Sequence, residues 1–470
     1  MRHKESQNHK NNRERGAILT LVLVFGSIFV LMFGGLAGYV FTQYRQSMQK
    51  VSQTEAFEIA EVGINYGRWR LAHAPNDYGF SGVYDYFDPE GGLIGRYQLE
   101  ITPPAECSTT VTIKSTGWTT DYPGVKRALS IRYGRPSLAQ YAFLTNTDVW
   151  FGEEEELKGP FHSNGGIRMD GIQNALSTSD KETYTCQPMH GCTPAQTKPG
   201  IWGSGEGGSQ GLWEFPVPAV DFNAITLDLA NLKTQAQNGG YYFGPSGAFG
   251  YRVEFKNNGT FNLYKVTKLR PKVWGYDTDY VWRYESNDIG TSNSTTFLGN
   301  YLLTTSGCNV RNLIFIEDAK VWVDGVLKEK ATVAAARFPD NPSTNASIII
   351  NGNITRADPT DTMLALIAQK NILVPRYAPN VLEIQAVMVA QKGAAQRYYY
   401  PGNVLNRISV RGSIITNRVW TWSWVDGFGQ TTSGYQNTES YYEPALIYNP
   451  PPYFPSTGDL QFISWEETPL

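Results

Sequence analysis

The sequence contains few charged residues, no excess of basic ones and only four cysteines. Charged residues make up 18% of the 470 residues, and the net charge of −3 provides no basic surface for nucleic acid. There is no phosphate-binding loop, dinucleotide-binding fingerprint, zinc-binding helix or nucleophile elbow, so the common nucleotide-dependent and hydrolytic enzyme classes lack their motifs here. We therefore expect no cofactor, no metal and no enzymatic activity.

Glycine and aromatic residues are abundant instead, with 46 Gly, 28 Tyr and 12 Trp. A hydrophobic fraction of 41% is enough to fill a core, which argues against a disordered chain. This composition is typical of a turn-rich extracellular β protein. The length predicts several domains, since one domain commonly has ~100 to 200 residues.

A long uncharged stretch occupies residues 17–44 and reads AILTLVLVFGSIFVLMFGGLAGYVFTQY. It exceeds the ~20 residues that a helix needs to cross a bilayer, where an open segment must satisfy its own backbone hydrogen bonds. Basic residues precede it, so the positive-inside rule predicts a single-pass membrane protein with a cytoplasmic N-terminus and an extracytoplasmic C-terminal domain. A removed signal peptide and a buried core helix are the alternatives.

The helical pattern continues beyond the apolar stretch. No proline occurs between Arg45 and Pro75, and apolar residues recur at near-helical spacing from Met48 to Trp69. The sequence therefore predicts one unbroken helix over residues 17–74. Residues 1–16 are polar and basic, and we expect them to be disordered.

Two motifs give the N-terminal region a resemblance to a known family. Arg15-Gly16-Ala17 opens the apolar stretch as a prepilin cleavage site does, and the second motif is AFEIAEVG at residues 56–63. Together they resemble the N-terminal module of PilX-type minor pilins of type IV pili and of minor pseudopilins, over residues 13–73. The resemblance implies cleavage after Gly16 by a prepilin peptidase, methylation of Ala17 and packing of the helix with other pilin subunits.

One position departs from the pattern of the major pilins. They carry a glutamate at the fifth position after the cleavage site, thought to pair with a neighbouring subunit's terminal amine, and this sequence has Leu21 there. A subunit at a filament tip has no neighbour ahead of it and can lack the glutamate. The resemblance thus implies a membrane-anchored minor pilin-like structural protein, incorporated at the start or tip of a pilus or related secretion filament.

The rest of the chain is predicted to be mainly β. Alternating apolar and polar residues between 96 and 133 predict a small antiparallel sheet packed on the helix, after a loop at 75–95. In the last third, Gly352, Asn371, Gly393 and Gly412 recur at intervals of about 19 to 22 residues among short strands. This period favours a parallel β-solenoid, with an antiparallel β-sandwich as the alternative.

These patterns divide the chain into six predicted segments: a leader (1–16), the long helix (17–74), a small pilin-like β domain (75–135), a β-rich region with an insertion, one helix and a hairpin (136–308), the solenoid (309–425), and an aromatic, proline-rich capping tail (426–470). In the fourth segment, the helix is predicted after Asp221, with Ile225, Leu229 and Leu232 in its apolar stripe. The hairpin is predicted at Asn258-Gly259.

The cysteines fit an oxidising environment. Cys186 and Cys192 bracket a short loop and are predicted to form a disulfide. A zinc site that uses Cys186, His190 and Cys192 is the alternative, although no fourth ligand is visible. Cys107 and Cys308 are left to pair with each other or to remain free thiols.

Two polar clusters contain residue types that could bind a metal ion or catalyse a reaction. The consecutive glutamates 153–156 could bind calcium, but neighbours in an extended segment point in opposite directions, which favours a solvated turn. His162 and Ser163 are adjacent but have no visible third group to orient them, and the Asn-Gly-Gly that follows is typical of a turn. A polysaccharide-cleaving enzyme is a further alternative that rests on the solenoid fold alone.

Three tryptophans alternate near the tail, and Trp420, Trp422 and Trp424 are predicted to lie on one face of a strand. If exposed, they would stack on sugar rings; otherwise they would cap the open end of the solenoid. The second functional hypothesis is therefore a membrane-anchored surface adhesin or carbohydrate-binding protein whose partner is a surface glycan.

Overall fold

The computed structural model describes residues 8–75, 77–104, 108–153, 155–204, 210–305, 309–360, 362–456 and 460–469, without the side chains of 8–17 and 223–228. The chain forms two compact units. Unit 1 comprises Met1–Pro103, Val111–Tyr133 and Ser464–Leu470, and unit 2 comprises Pro104–Thr110 and Gly134–Ile463. Unit 2 is thus inserted into the sequence of unit 1.

The elements of the first half of the chain are as follows: α1 (Asn8–His73), β1 (Gly82–Phe87), β2 (Leu93–Thr102), β3 (Thr110–Thr119), β4 (Lys126–Gly134), β5 (Phe143–Thr145), β6 (Val149–Phe151), β7 (Glu156–Leu157), β8 (Phe161–Ser163), β9 (Ile167–Met169), β10 (Ile172–Gln173), β11 (Ser177–Ser179), β12 (Thr183–Cys186), β13 (Gln196–Pro199), β14 (Ile201–Trp202), β15 (Trp213–Glu214) and α2 (Phe222–Gln237).

The elements of the second half follow in order: β16 (Tyr241–Phe243), β17 (Gly250–Lys256), β18 (Thr260–Val266), β19 (Val273–Tyr276), β20 (Trp282–Glu285), β21 (Thr295–Leu302), β22 (Leu313–Ile316), β23 (Lys320–Leu327), β24 (Ala331–Ala335), β25 (Ser347–Arg356), β26 (Leu364–Ala368), β27 (Ile372–Leu373), β28 (Val381–Ala390), β29 (Ala395–Gln396), β30 (Val404–Thr416), β31 (Ser423–Val425), β32 (Thr431–Tyr441) and β33 (Gln461–Thr468).

Helix α1 runs for 66 residues without a break, which confirms the prediction of one long N-terminal helix. It begins earlier than predicted. The expected disorder of the leader is wrong for residues 8–16, because this polar stretch contains no proline to interrupt the helix that follows it. Residues 1–7 lie outside the described residues.

The second part of α1 packs on a five-stranded sheet with the order β1-β2-β3-β4-β33. The pairs β1–β2 and β2–β3 are antiparallel, which confirms the small antiparallel sheet. The helix buries residues three or four positions apart, as expected of a helix with one apolar face. These buried residues are Ala56, Ile59, Ala60, Ile64 and Leu71.

Two strands of this sheet lie where the sequence analysis did not place them. β1 lies within the segment predicted to be a loop, and β33 comes from the segment predicted to be a capping tail. Trp465 of β33 packs edge-on against Phe57 of α1, with ring centroids 5.8 Å apart. The C-terminal strand therefore completes unit 1 after the whole of unit 2 has been inserted.

Unit 2 is built around a ladder of parallel strands. The ladder runs in the order β16-β22-β24-β26-β28-β30-β5-β8-β11-β15, and each neighbouring pair is parallel. The pairing of β30 with β5 joins the last third of the chain to the region around His162. These two regions, separated in sequence by α2 and the β17–β18 hairpin, thus belong to one sheet.

Both faces of this ladder are buried. One face contributes to the main interior cluster, and the other packs against Leu229 and Leu232 of α2. Burial on both faces is typical of parallel sheets and explains the nearly continuous apolar runs of these strands. The predicted helix α2 and the antiparallel β17–β18 hairpin at Asn258-Gly259 are confirmed.

The parallel pairs fit the predicted solenoid better than an antiparallel sandwich. However, the antiparallel pairs β17–β18, β18–β21 and β31–β32 belong to the same hydrogen-bonded network, and this network closes on itself. The assignment of unit 2 as a β-solenoid therefore stays a prediction.

A glycine allows the helix and the sheet of unit 1 to approach each other closely. A Cβ atom at Gly117 of β3 would overlap the carbonyl oxygen of Ala56 and the backbone of Ala60 in α1. Backbone atoms cannot move aside as a flexible side chain can. The contact between β3 and α1 therefore requires glycine at this position.

We expect Gly117→Ala to destabilise unit 1 by about 1 to 3 kcal/mol, because the added methyl group forces the strand away from the helix. Urea unfolding in detergent, followed by hydrogen exchange of peptides from β2 and β3, measures the change. Gly124→Ala is the matched control, since Gly124 lies in the turn between β3 and β4 and nothing lies within 4 Å of a Cβ atom there. Equal unfolding midpoints for the two variants would contradict the prediction.

Candidate functional site

The first candidate region is the part of α1 that makes no contact with the sheet, residues 18–50, which we call the free half of α1. Every large hydrophobic side chain from Ile18 to Tyr44 is exposed. This segment has the length and apolar composition needed to cross a membrane, and its most apolar part is not buried. Such exposure does not fit the alternative of a buried core helix.

The residues of the predicted cleavage site lie within α1. Gly16 and Ala17 are helical, and the side chain of Ala17 is not among those described. Leu21, one turn further on, is exposed on the free half of α1. The segment also contains glycines at its surface, and nothing lies within 4 Å of a Cβ atom built at Gly26 or Gly38.

The structure joins Cys186 and Cys192 in a disulfide, with their Cα atoms 5.7 Å apart. This bond uses both sulfurs of the alternative zinc site. Among the residues that the structure describes, no group of three His, Cys, Asp or Glu side chains could hold a metal ion. Cys107 and Cys308 lie outside the described residues.

His162 and Ser163 point to different partners. His162 is 1% exposed, its Nδ1 lies 2.8 Å from the hydroxyl of Thr178, and its Nε2 lies 2.9 Å from the side-chain oxygen of Asn164. The Ser163 hydroxyl donates to the carbonyl oxygen of Thr147 at 2.7 Å. The histidine is thus a buried structural group that does not activate the neighbouring serine.

The structure does not bring the three predicted tryptophans onto one exposed face. Trp420 stacks on Phe143 at 4.7 Å, and Trp422 is 5% exposed within the main interior cluster. Trp420 and Trp424 are both half-buried, and the indole N–H of Trp424 donates to the carbonyl oxygen of Arg397. The strand β31 covers only Ser423–Val425, so the alternation expected of a regular strand does not extend back to Trp420.

Trp424 borders a second candidate region that the sequence analysis missed. The hairpin β19–β20 exposes Trp274, Trp282 and Tyr284 to between 53% and 58%, and Tyr280 in its turn is 57% exposed. We call these four residues the aromatic surface. The signal in the sequence was the pair of alternating motifs Trp-Gly-Tyr and Trp-Arg-Tyr on either side of a short polar turn.

Comparisons with known proteins give little further information. No protein-family model and no curated protein matches the chain. Among solved structures, the chain is similar to the crystal structure of the competence-associated pilin ComZ from Thermus thermophilus, with 12% identity over 89% of this chain and 98% of that chain. The TM-score is 0.28, so this likeness carries no argument about fold or function.

His162 provides a test of how unit 2 depends on pH. Burial lowers the pKa of His162 below its usual 6.5. The unfolded chain therefore binds this proton more readily, and the stability present above pH ~6.5 is lost as the pH falls towards the folded pKa. We expect His162→Gln to reduce the loss of unfolding free energy between about pH 7 and pH 5, measured by urea unfolding.

Burial also lowers the pKa of His190, so the variant should reduce the pH dependence without abolishing it. Above about pH 7.5 the two proteins should show parallel pH profiles, because both histidines are then neutral in either state. A variant with the full wild-type loss of stability at low pH would contradict the prediction.

Proposed function

We propose that this protein is a membrane-anchored minor pilin-like structural protein of a bacterial type IV pilus or a related secretion filament. The observation that carries the proposal is the division of α1 into two halves. The free half is apolar and exposed on all sides, whereas the second half is amphipathic and packs on a small antiparallel sheet. One helix thus serves as a membrane anchor and as the spine of an extracytoplasmic domain.

The free half of α1 needs an apolar environment that the described chain does not supply. Before assembly this environment would be the bilayer, in which a helix is stable because its backbone groups are paired internally. In a filament, the helices of other pilin subunits would replace the lipid. The open glycine positions, such as Gly34 and Gly35, would let neighbouring helices approach closely.

The proposal also includes proteolytic processing of the chain at the start of the apolar stretch. Gly16-Ala17 would be the bond cut by a prepilin peptidase, which would leave Ala17 as the N-terminus. Leu21 lacks the carboxylate that would pair with a neighbour's terminal amine. We therefore favour an initiating or tip subunit over a repeating one, with unit 2 displayed outside the cell membrane.

The alternative is a surface adhesin or carbohydrate-binding protein anchored by the same helix. The specific observation in its favour is the aromatic surface of unit 2. The two functions are compatible, because one concerns the N-terminal helix and the other a surface of the inserted unit.

Coexpression with a prepilin peptidase tests the first proposal. We expect the mature chain to begin at Ala17, methylated at its amino group, as measured by intact mass and N-terminal peptide mass spectrometry. Gly16→Leu should block this cleavage because a bulky residue replaces the glycine at the cut bond. Gly26→Leu is the control, since it lies in open space within the same helix and should leave cleavage unchanged. A wild-type chain that still begins at Met1 would make the helix a plain anchor.

A further inference from the structure

The hairpin β19–β20 is fixed to the rest of unit 2 by hydrogen bonds along and beside its first strand. Tyr276 and Tyr399 exchange two backbone hydrogen bonds, and the backbone N–H of Thr278 donates to the side chain of Gln396 at 2.9 Å. Just after the hairpin, the indole of the buried Trp322 donates to the carbonyl oxygen of Asn287 at 2.7 Å. These contacts hold the hairpin in place. On its outer face the ring of Tyr276 packs on Tyr399 and Trp424, whereas Trp274, Trp282 and Tyr284 stay exposed.

On the outer face, the rings of Trp274 and Tyr284 form a shallow platform, and the ring of Trp282 borders it. Trp274 and Tyr284 are paired across the hairpin, with ring centroids 5.0 Å apart and an angle of 34° between the rings. The ring of Trp282 stands at 76° to that of Trp274, at 6.4 Å. Aromatic side chains of this size normally bury most of their surface, so an exposed cluster of this kind marks an interaction site.

Tyr280, in the turn of the hairpin, adds a fourth ring to the aromatic surface and has a strained backbone conformation. Tyr280 has a φ of 59°, a left-handed conformation that residues other than glycine rarely adopt. The conformation places its ring 6.0 Å from that of Tyr276 and 6.1 Å from that of Trp424. Strain of this kind is commonly retained at binding sites, where the surrounding structure imposes it.

Charges of opposite sign lie side by side around the platform. Asp277 accepts two hydrogen bonds from the guanidinium of Arg283, and Asp279 forms an ion pair with Arg418. These pairs leave the neighbourhood close to neutral. A single-stranded nucleic acid, which also stacks on aromatic rings, requires a positive groove for its backbone, and this surface has none.

The area of the surface favours a small ligand over a folded protein. Four aromatic side chains of ~150 to 250 Å² each, about half exposed, offer roughly 400 Å². A stable protein interface needs about 800 Å² per partner. A sugar ring needs much less, since the C–H groups on one of its faces can lie directly on an aromatic ring.

We propose that the aromatic surface binds a neutral polysaccharide, whose pyranose rings stack on Trp274 and Tyr284 while Trp282 borders the platform. The sugars that fit have their hydroxyl groups equatorial, because such rings present flat C–H faces. This proposal deepens the adhesin hypothesis and does not depend on cleavage after Gly16. The N-terminal mass and polysaccharide binding can therefore fail independently.

Affinity electrophoresis of the full-length protein in detergent, with hydroxyethylcellulose as a neutral probe, tests the proposal. We expect wild type to be retarded, and Trp274→Ala and Tyr284→Ala each to weaken binding about tenfold because each removes one stacking face. Tyr284→Phe keeps the ring and should bind as wild type does. Phe297→Ala is the matched control, since Phe297 is also an exposed aromatic residue of unit 2 but contacts Tyr264, outside the aromatic surface.

Circular dichroism and thermal unfolding of each variant separate loss of binding from loss of folding. No retardation of wild type by hydroxyethylcellulose would overturn the proposal, as would equal binding by wild type and a folded Trp274→Ala variant. Binding of single-stranded oligothymidine but not of hydroxyethylcellulose, lost in the Trp274→Ala variant, would assign the surface to nucleic acid instead.

Discussion

The apolar surface of the free half of α1 imposes the main physical constraint on this molecule. Each large hydrophobic side chain gains about 1.5 to 3 kcal/mol when it is fully buried, so even ten of those between Ile18 and Tyr44 represent roughly 15 to 30 kcal/mol. A typical domain has a net stability of only ~5 to 15 kcal/mol. Exposure of this segment to water is therefore strongly unfavourable, and lipid or other helices must cover it.

The same helix changes character near Ser52 without a break. From Ile18 to Ser47 the side chains are exposed, and from Ser52 onwards one face is buried against the sheet. Ser52 itself lies 2.9 Å from the hydroxyl of Thr119 at the end of β3. Because the helix is continuous, the segment that needs an apolar phase and the segment that organises unit 1 share one rigid element.

The sequence predicted the elements that depend on local periodicity. The long helix, the strands β2 to β4, α2 and the hairpin at Asn258-Gly259 all follow from apolar spacing or turn chemistry. β33 could not be assigned to unit 1 in this way, although its residues alternate as a strand. Its ion pair between Glu467 and Arg127 joins residues 340 positions apart, and no local pattern encodes a pairing over that distance.

The exposure of the aromatic residues at the candidate site likewise could not be predicted from local sequence alone. Alternation predicts that Trp420, Trp422 and Trp424 share a face only if the backbone is a regular strand, and most of that segment is not. The motifs around Trp274 and Trp282 are in regular strands, so alternation holds there and both rings lie on one face. Sequence could not show which face is exposed, because the inner face is covered by Tyr398 and Tyr400, more than a hundred residues later in the chain. Exposure of an aromatic ring is a property of long-range packing, and it is this packing that separates a binding surface from a core.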